Sequence, residues 1–186
     1  MRVISGTARG TKLNSIDSIN TRPTLDRVKE SLFNILQNNI ENTAVLDLFA
    51  GSGAIGIEFL SRGANRAYFC EKSHESAKMI YQNLKKTRLE NKSEILEKDY
   101  KKCLIDFAEK NIKFDIIFID PPYKMDIAGD AVKQIISLDL LNRNGIMIIE
   151  TDEEERDLKE LEILQVEVYD LRKYGRAHLI FLNRKE

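Results

Sequence analysis

The sequence predicts an α/β protein, a doubly wound and mostly parallel sheet with helices on both faces. Two observations carry that prediction. Short apolar runs of strand length alternate along the chain with stretches of helical apolar spacing, the pattern of repeated βα units. One run, Val45-Leu46-Asp47-Leu48-Phe49, leads through Ala50-Gly51-Ser52-Gly53 directly into a helical pattern at Ile55, Phe59 and Leu60. With 186 residues and 42% hydrophobic content, the chain can bury one sizeable core, so residues 1–186 are expected to form a single domain.

The elements follow in order. Met1 to Leu13, with glycines at Gly6 and Gly10, predicts a short hairpin carrying Arg2, Arg9 and Lys12; Ser15 to Asn20 is polar and reads as loop. Arg22-Pro23-Thr24 opens a helix with Thr24 as its N-cap, and Val28, Leu32, Ile35 and Leu36 share one face. Arg66 to Glu71 is a second strand, followed by a helix from about Ser73 to Thr87. Ser93 to Glu97 is a weaker third strand ending near Asp99. Phe114-Asp115-Ile116-Ile117-Phe118-Ile119 is the clearest buried strand and runs into Asp120-Pro121-Pro122-Tyr123. A helix is expected over Asp126 to Leu141, a strand over Gly145 to Glu150 and a short charged helix over Glu154 to Leu161. Val166 to Leu171 and His178 to Leu182 complete seven strands and should pair antiparallel.

The glycine turn is the first candidate site. Gly51-x-Gly53-x-x-Gly56 with Glu71 twenty residues on fits a dinucleotide-binding fingerprint. Asp47 argues against that ligand, because a carboxylate just before the turn repels a pyrophosphate. S-adenosylmethionine carries an ammonium and a sulfonium instead, and a carboxylate suits both. The lesser alternative is that Asp47 and Glu71 are acids that cap the turns following their strands.

Asp47-Leu-Phe-Ala-Gly-Ser-Gly resembles the first motif of class I S-adenosylmethionine-dependent methyltransferases, and Asp120-Pro-Pro-Tyr123 resembles the catalytic motif of their amino-methylating members. Together with Met1 to Leu13, Arg22-Pro23-Thr24, Arg27 to Leu36 and Tyr174-Gly175-Arg176, they resemble the bacterial 16S ribosomal RNA guanine-N2 methyltransferase family over nearly the whole chain. The resemblance implies a seven-stranded class I methyltransferase sheet with a small N-terminal extension, residues 1–22, that contacts RNA. It implies S-adenosylmethionine as methyl donor, held by Asp47, Phe49, Gly51, Gly53, Glu71 at the ribose and Asp99 at the adenine amine, with Arg22 and Thr24 closing over the methionine end. Asp120, Pro121 and Tyr123 are the implied catalytic residues. Pro122, Arg2, Arg9 and Lys12 are the implied substrate contacts.

The chemistry of that motif can be stated from its residues. The lone pair of an exocyclic base amine is delocalised into the ring and is a poor nucleophile. The Asp120 carboxylate and the Pro121 carbonyl are two acceptors that can turn that lone pair toward a methyl group. The prolines keep the loop extended and stiff. Tyr123 offers a face on which the base can stack. Neither a metal nor a covalent intermediate is required.

Net charge is −1, so no global field draws the chain to a polyanion. Residues 1–29 nonetheless carry six basic side chains against two acids, a local +4. Cys70 and Cys103 form no metal-ligand pair in sequence, and Cys70 reads as a buried small hydrophobe. No apolar run approaches a membrane span and no signal peptide is visible, so the chain is expected to be cytoplasmic. It is expected to act as a monomer on 16S ribosomal RNA or the small ribosomal subunit. The competing functions are an adenine-N6 methyltransferase of DNA or RNA, a nicotinamide-dependent oxidoreductase resting on the glycine spacing, and a non-catalytic RNA-binding module.

Overall fold

The computed structural model describes residues 1–15, 23–122 and 127–185, and of residues 23–26 the backbone alone. In chain order the described elements are α1 (Pro23–Leu36), β1 (Ala44–Asp47), α2 (Ala54–Ser61), β2 (Arg66–Cys70), α3 (His74–Thr87), β3 (Ser93–Leu96), α4 (Tyr100–Glu109), β4 (Phe114–Ile119), α5 (Ala128–Ser137), β5 (Leu141–Thr151), α6 (Glu154–Leu161), β6 (Val166–Tyr174) and β7 (Ala177–Arg184). The seven strands form one sheet in the order β3-β2-β1-β4-β5-β7-β6. Pairing is parallel from β3 through β5, and β7 runs antiparallel to both β5 and β6. The winding reverses between β1 and β4. In open α/β sheets ligands bind at that switch, outside the carboxyl ends of the strands.

Both faces of the sheet are covered, which explains the nearly unbroken apolar run of β4. Its one acid, Asp115, lies at the far end from the switch, where its oxygens accept from the Ala44 N–H at 2.8 Å and the Asn142 amide at 2.7 Å. On one face Phe69, Phe118 and Phe181 pack against Phe33 of α1, Phe59 of α2 and Ile80 of α3. On the other, Tyr68, Ile117 and Met147 pack against Phe107 of α4, Ile135 of α5 and Leu161 of α6. No described helix is long and apolar enough to cross a membrane.

Four details differ from the sequence reading. Helix α1 already includes Pro23, the favoured first helical position, so Thr24 sits inside the first turn rather than capping it. Helix α4 has no counterpart among the expected elements. Helix α5 is shorter than expected because Leu138 ends it and Asp139 turns to φ 53°. Strand β5 is correspondingly longer, starting at Leu141.

The expected N-terminal hairpin is present as one antiparallel bridge, Arg2 with Lys12, closed by the Val3 N–H on Thr11 and the Gly10 N–H on Val3. It is stitched to α2 by Glu58, which is completely buried. The Glu58 carboxylate accepts from the Ile4 and Ser5 N–H groups at 2.8 and 3.0 Å and from the Arg62 guanidinium at 2.8 Å. Lys29 of α1, also buried, lies 3.2 Å from the same carboxylate and donates to the Arg2 carbonyl. Gly6 is held so close to Ser61 that a Cβ there would fall 1.7 Å from the Ser61 carbonyl oxygen. Arg2, Arg9 and Lys12 point outward and are exposed.

Candidate active site

Strand β1 ends at Asp47, and the chain then turns through Gly51 and Gly53, both with positive φ, 53° and 77°. A Cβ at Gly51 would meet nothing within 4 Å, so the backbone borders open space there. A Cβ at Gly56 would lie 2.3 Å from the Phe69 ring, so the third glycine serves close packing of α2 on β2.

Two adjoining cavities open at this edge. The larger, about 400 Å³, is bordered by Glu71, Asp99, Tyr100, Pro121, Pro122 and Ile127. The smaller, about 210 Å³, is bordered by Asp47, Ser52, Val28, Leu32, Met1 and Glu150. Phe49, Gly51 and Asp120 border both, so they form the waist of one two-lobed space. Gly53 lies behind the turn, buried against Ile80, rather than on the cavity wall.

The strand-end acids are partly engaged by backbone. Asp47 is 2% exposed and accepts from the Gly56 N–H at 3.0 Å, satisfying one donor in the first turn of α2. Glu71 accepts from the Gly51 N–H and the Ser73 N–H, both at 2.8 Å. Asp99 is the N-cap of α4, accepting from the Lys101 N–H at 3.1 Å. The capping roles that the sequence left open for Asp47 and Glu71 are therefore realised, and Asp99 caps as well. A carboxylate oxygen has two lone pairs, so each cap also fixes its side chain at the cavity wall and leaves acceptor capacity for a ligand.

The smaller lobe is lined by three crowded carboxyl groups, Asp47, Asp120 and Glu150. Burial pushes the Asp47 carboxyl up to about 7; the Gly56 N–H opposes the shift, and the Asp120 and Glu71 charges add to it. Burial, then the nearby Glu150 and Asp152 carboxylates, push Asp120 well above the usual carboxylate range. Burial raises Glu150 to about 7. Lys29 borders the same lobe, but it is committed to Glu58 and the Arg2 carbonyl. A ligand bringing positive charge relieves this crowding, whereas a pyrophosphate would aggravate it.

Tyr100 and Glu150 border the two cavities, and sequence reasoning named neither as a site candidate. The Tyr100 ring lies 5.1 Å from Phe49, centroid to centroid, and its hydroxyl donates to Asp130 at 2.6 Å. The two rings make an apolar wall suited to a flat heterocycle. Glu150 carried the same signal as Asp47, an acid at the end of a buried strand. Arg22 and Tyr123 lie outside the described residues, as does the Thr24 side chain. Arg2, Arg9 and Lys12 lie apart from the cavity walls, on the outer surface of the N-terminal hairpin.

Against this geometry, comparison with known proteins is informative. A family profile described as "Conserved hypothetical protein 95" matches residues 1–183. The Ribosomal RNA small subunit methyltransferase D of Haemophilus influenzae is 33% identical over 154 residues, covering 83% of this chain and 80% of that protein. Its Escherichia coli namesake is 33% identical over the same length, covering 83% of this chain and 76% of its own. The solved structure of yhhF from Escherichia coli superposes on all of this chain and 98% of its own, with a TM-score of 0.82 at 26% identity. The chain belongs to the conserved hypothetical protein 95 family, and with it to the family of these small-subunit ribosomal RNA methyltransferases.

Proposed function

We propose that the chain transfers a methyl group from S-adenosylmethionine to the exocyclic N2 of a guanosine in 16S ribosomal RNA. The observation that carries this reading is the two-lobed cavity at the sheet switch, with Asp120 at its waist between an acidic lobe and an aromatic-walled one. The donor fits that shape. Its adenosine suits the larger lobe, with Glu71 toward the ribose, Asp99 toward the adenine amine and Phe49 and Tyr100 against the ring. Its ammonium suits Asp47 and Glu150. Arg22 and Thr24 would cover the methionine end. Residues 1–186 act as one methyltransferase domain, a cytoplasmic monomer, in which residues 1–22 form the RNA-contacting extension through Arg2, Arg9 and Lys12.

When bound, S-adenosylmethionine supplies an electrophilic methyl on a cationic sulfur. Positive charge beside Asp120 favours its ionised form, which is the form that accepts hydrogen bonds. The Asp120 carboxylate and the Pro121 carbonyl then accept the two N–H bonds of the base amine and aim its lone pair across the waist. As the nitrogen gains the methyl it acquires positive charge, which Asp120 stabilises before taking the departing proton. Pro122, exposed beside them, and Tyr123 provide the surface for the unstacked base. Holding nitrogen and methyl in line supplies most of the acceleration.

The test is methyl transfer from labelled cofactor to ribosomal RNA or 30S particles, with the product nucleoside identified by mass spectrometry. Asp120→Ala should reduce turnover by about 10²–10³-fold, the scale for losing one transition-state hydrogen-bonding group. Asp120→Asn, whose amide oxygen still accepts, should retain more activity than Asp120→Ala. N6-methyladenosine as product would replace guanine by adenine; undiminished turnover in Asp120→Ala would remove the mechanism.

A further inference from the structure

The β6–β7 hairpin stands beyond the catalytic edge of the sheet, and the strand registers measure by how much. Phe118 pairs with Ile148, Ile148 with Phe181 and Phe181 with Asp170. Two residues along, Asp120 lies level with Glu150, which pairs with Leu179, which pairs with Arg172. The hairpin then continues through Lys173 opposite His178 and Tyr174 opposite Ala177 to the turn at Gly175-Arg176. That is three residue levels past Asp120, or about 10 Å at roughly 3.3 Å per residue. Across the sheet, β6 is three strand spacings from β4, about 14 Å at ~4.8 Å each.

This projection is built to be stiff. Gly175 has φ 66°, and Arg176 is not among the residues with positive φ, which is the two-residue turn that continues strand twist rather than splaying the pair. Tyr174 and Ala177 pack onto the sheet face that α1 covers. Arg172 is held by Asp170, Nε to Oδ2, at 3.0 Å. The next two cations differ. Lys173 and Arg176 are exposed, and among the described residues neither side chain makes a hydrogen bond or ion pair. Helix α1 lies between this arm and the N-terminal hairpin: it packs against β6, and its Lys29 holds the Arg2 carbonyl. Two basic projections thus both adjoin α1, whose Val28 and Leu32 border the lobe that Asp120 shares.

We infer that the β6–β7 turn is a second RNA-contacting arm, with Lys173 and Arg176 engaging backbone phosphates that flank the base presented to Asp120. The inference rests on the RNA-substrate reading and extends it to a surface outside residues 1–22. Holding the backbone on both sides of the pocket would keep an extracted base in register with Asp120. The N-terminal hairpin supplies one hold and the arm the other. Phosphate contacts position the strand without reading its sequence.

The experiment is equilibrium binding of a small-subunit ribosomal RNA fragment, followed by fluorescence anisotropy over a range of salt, for the parent and a Lys173→Ala/Arg176→Ala variant. Losing two phosphate contacts should reduce the slope of log affinity against log salt by about 1.4–1.8, which extrapolates to roughly a twenty- to sixtyfold loss at 0.1 M salt. Arg176→Lys, which keeps the charge, should retain the parent slope, and Lys173→Glu/Arg176→Glu should bind more weakly than the alanine pair. S-adenosylmethionine affinity and thermal midpoint should match the parent, since both side chains are exposed and neither borders the cavity. A parent that binds the RNA with a steep salt slope, beside an alanine pair with the same affinity and slope, would overturn the arm and leave the RNA reading standing. A parent with no salt-dependent RNA binding would overturn both.

Discussion

Lowering the pH from 8 to 6 should weaken S-adenosylmethionine binding about tenfold. The working group is Asp47, whose carboxyl burial pushes up to about 7 in the free protein. A cationic ligand favours its ionised form, so affinity is gained as the pH rises through 7 and lost as it falls. The ionised fraction goes from about nine-tenths at pH 8 to about one-tenth at pH 6, and affinity for a ligand that requires the carboxylate follows in proportion. Glu150, also raised to about 7, would extend the effect toward a hundredfold if it too must ionise. Stability of the free protein runs the other way. Asp47 ionises more readily unfolded, so its contribution should fall by about 1–2 kcal/mol between pH 6 and pH 8. The assay is calorimetric titration at several pH values in buffers of different ionisation enthalpy, which counts protons released on binding. Asp47→Asn keeps an acceptor for the Gly56 N–H but cannot titrate, so it should bind more weakly and with a flatter pH profile. Affinity constant from pH 6 to 8 in the parent, with no proton release, would refute the acidic lobe as the ammonium site.

Two further outcomes concern the N-terminal hairpin. Glu58→Ala strips a buried carboxylate from buried Lys29 and from two backbone donors, and should cost about 3–5 kcal/mol in urea unfolding, as expected for breaking a buried ion pair; a loss under 1 kcal/mol would show that the hairpin is not held there. Replacing Arg2, Arg9 and Lys12 together by alanine should shallow the salt dependence of RNA binding by about 2–3, at 0.7–0.9 per phosphate, without moving cofactor affinity. An unchanged slope would make the hairpin scaffold only.

How much of this was legible in the sequence depended on whether the signal was local. Strand β1, its glycine turn and α2 are contiguous, and an apolar run giving way to helical spacing announces them. The same holds for β4 and its Asp-Pro-Pro loop. Helix α4 was overlooked although Tyr100, Cys103, Leu104, Phe107 and Ala108 keep the i, i+3, i+4, i+7, i+8 spacing of an amphipathic helix; Lys101, Lys102, Asp106 and Glu109 between them masked that spacing. Glu150 escaped for a different reason. It opens an acidic stretch that reads as solvated surface, and only the adjacency of β4 and β5 in the sheet brings it beside Asp120, thirty residues earlier. The bond from the Gly51 N–H to Glu71 was likewise beyond reach, since it depends on how β1 and β2 align, whereas the Ser73 contact is the local cap that the sequence allows.

The position of β7 has a consequence for synthesis. Strand β6 is translated first, yet it joins the sheet only through β7, which lies between it and β5. While the chain is being made, β6 emerges with no partner and β5 with an open edge, and both wait for residues 177–184 to slide between them. The late strand therefore acts as a keystone: it closes the sheet and, in the same event, raises the Gly175-Arg176 turn beyond the catalytic edge. A chain interrupted before Ala177 would carry the glycine turn and Asp120 but lack this arm, and would show β5's unpaired backbone to the chaperones and proteases that survey nascent proteins.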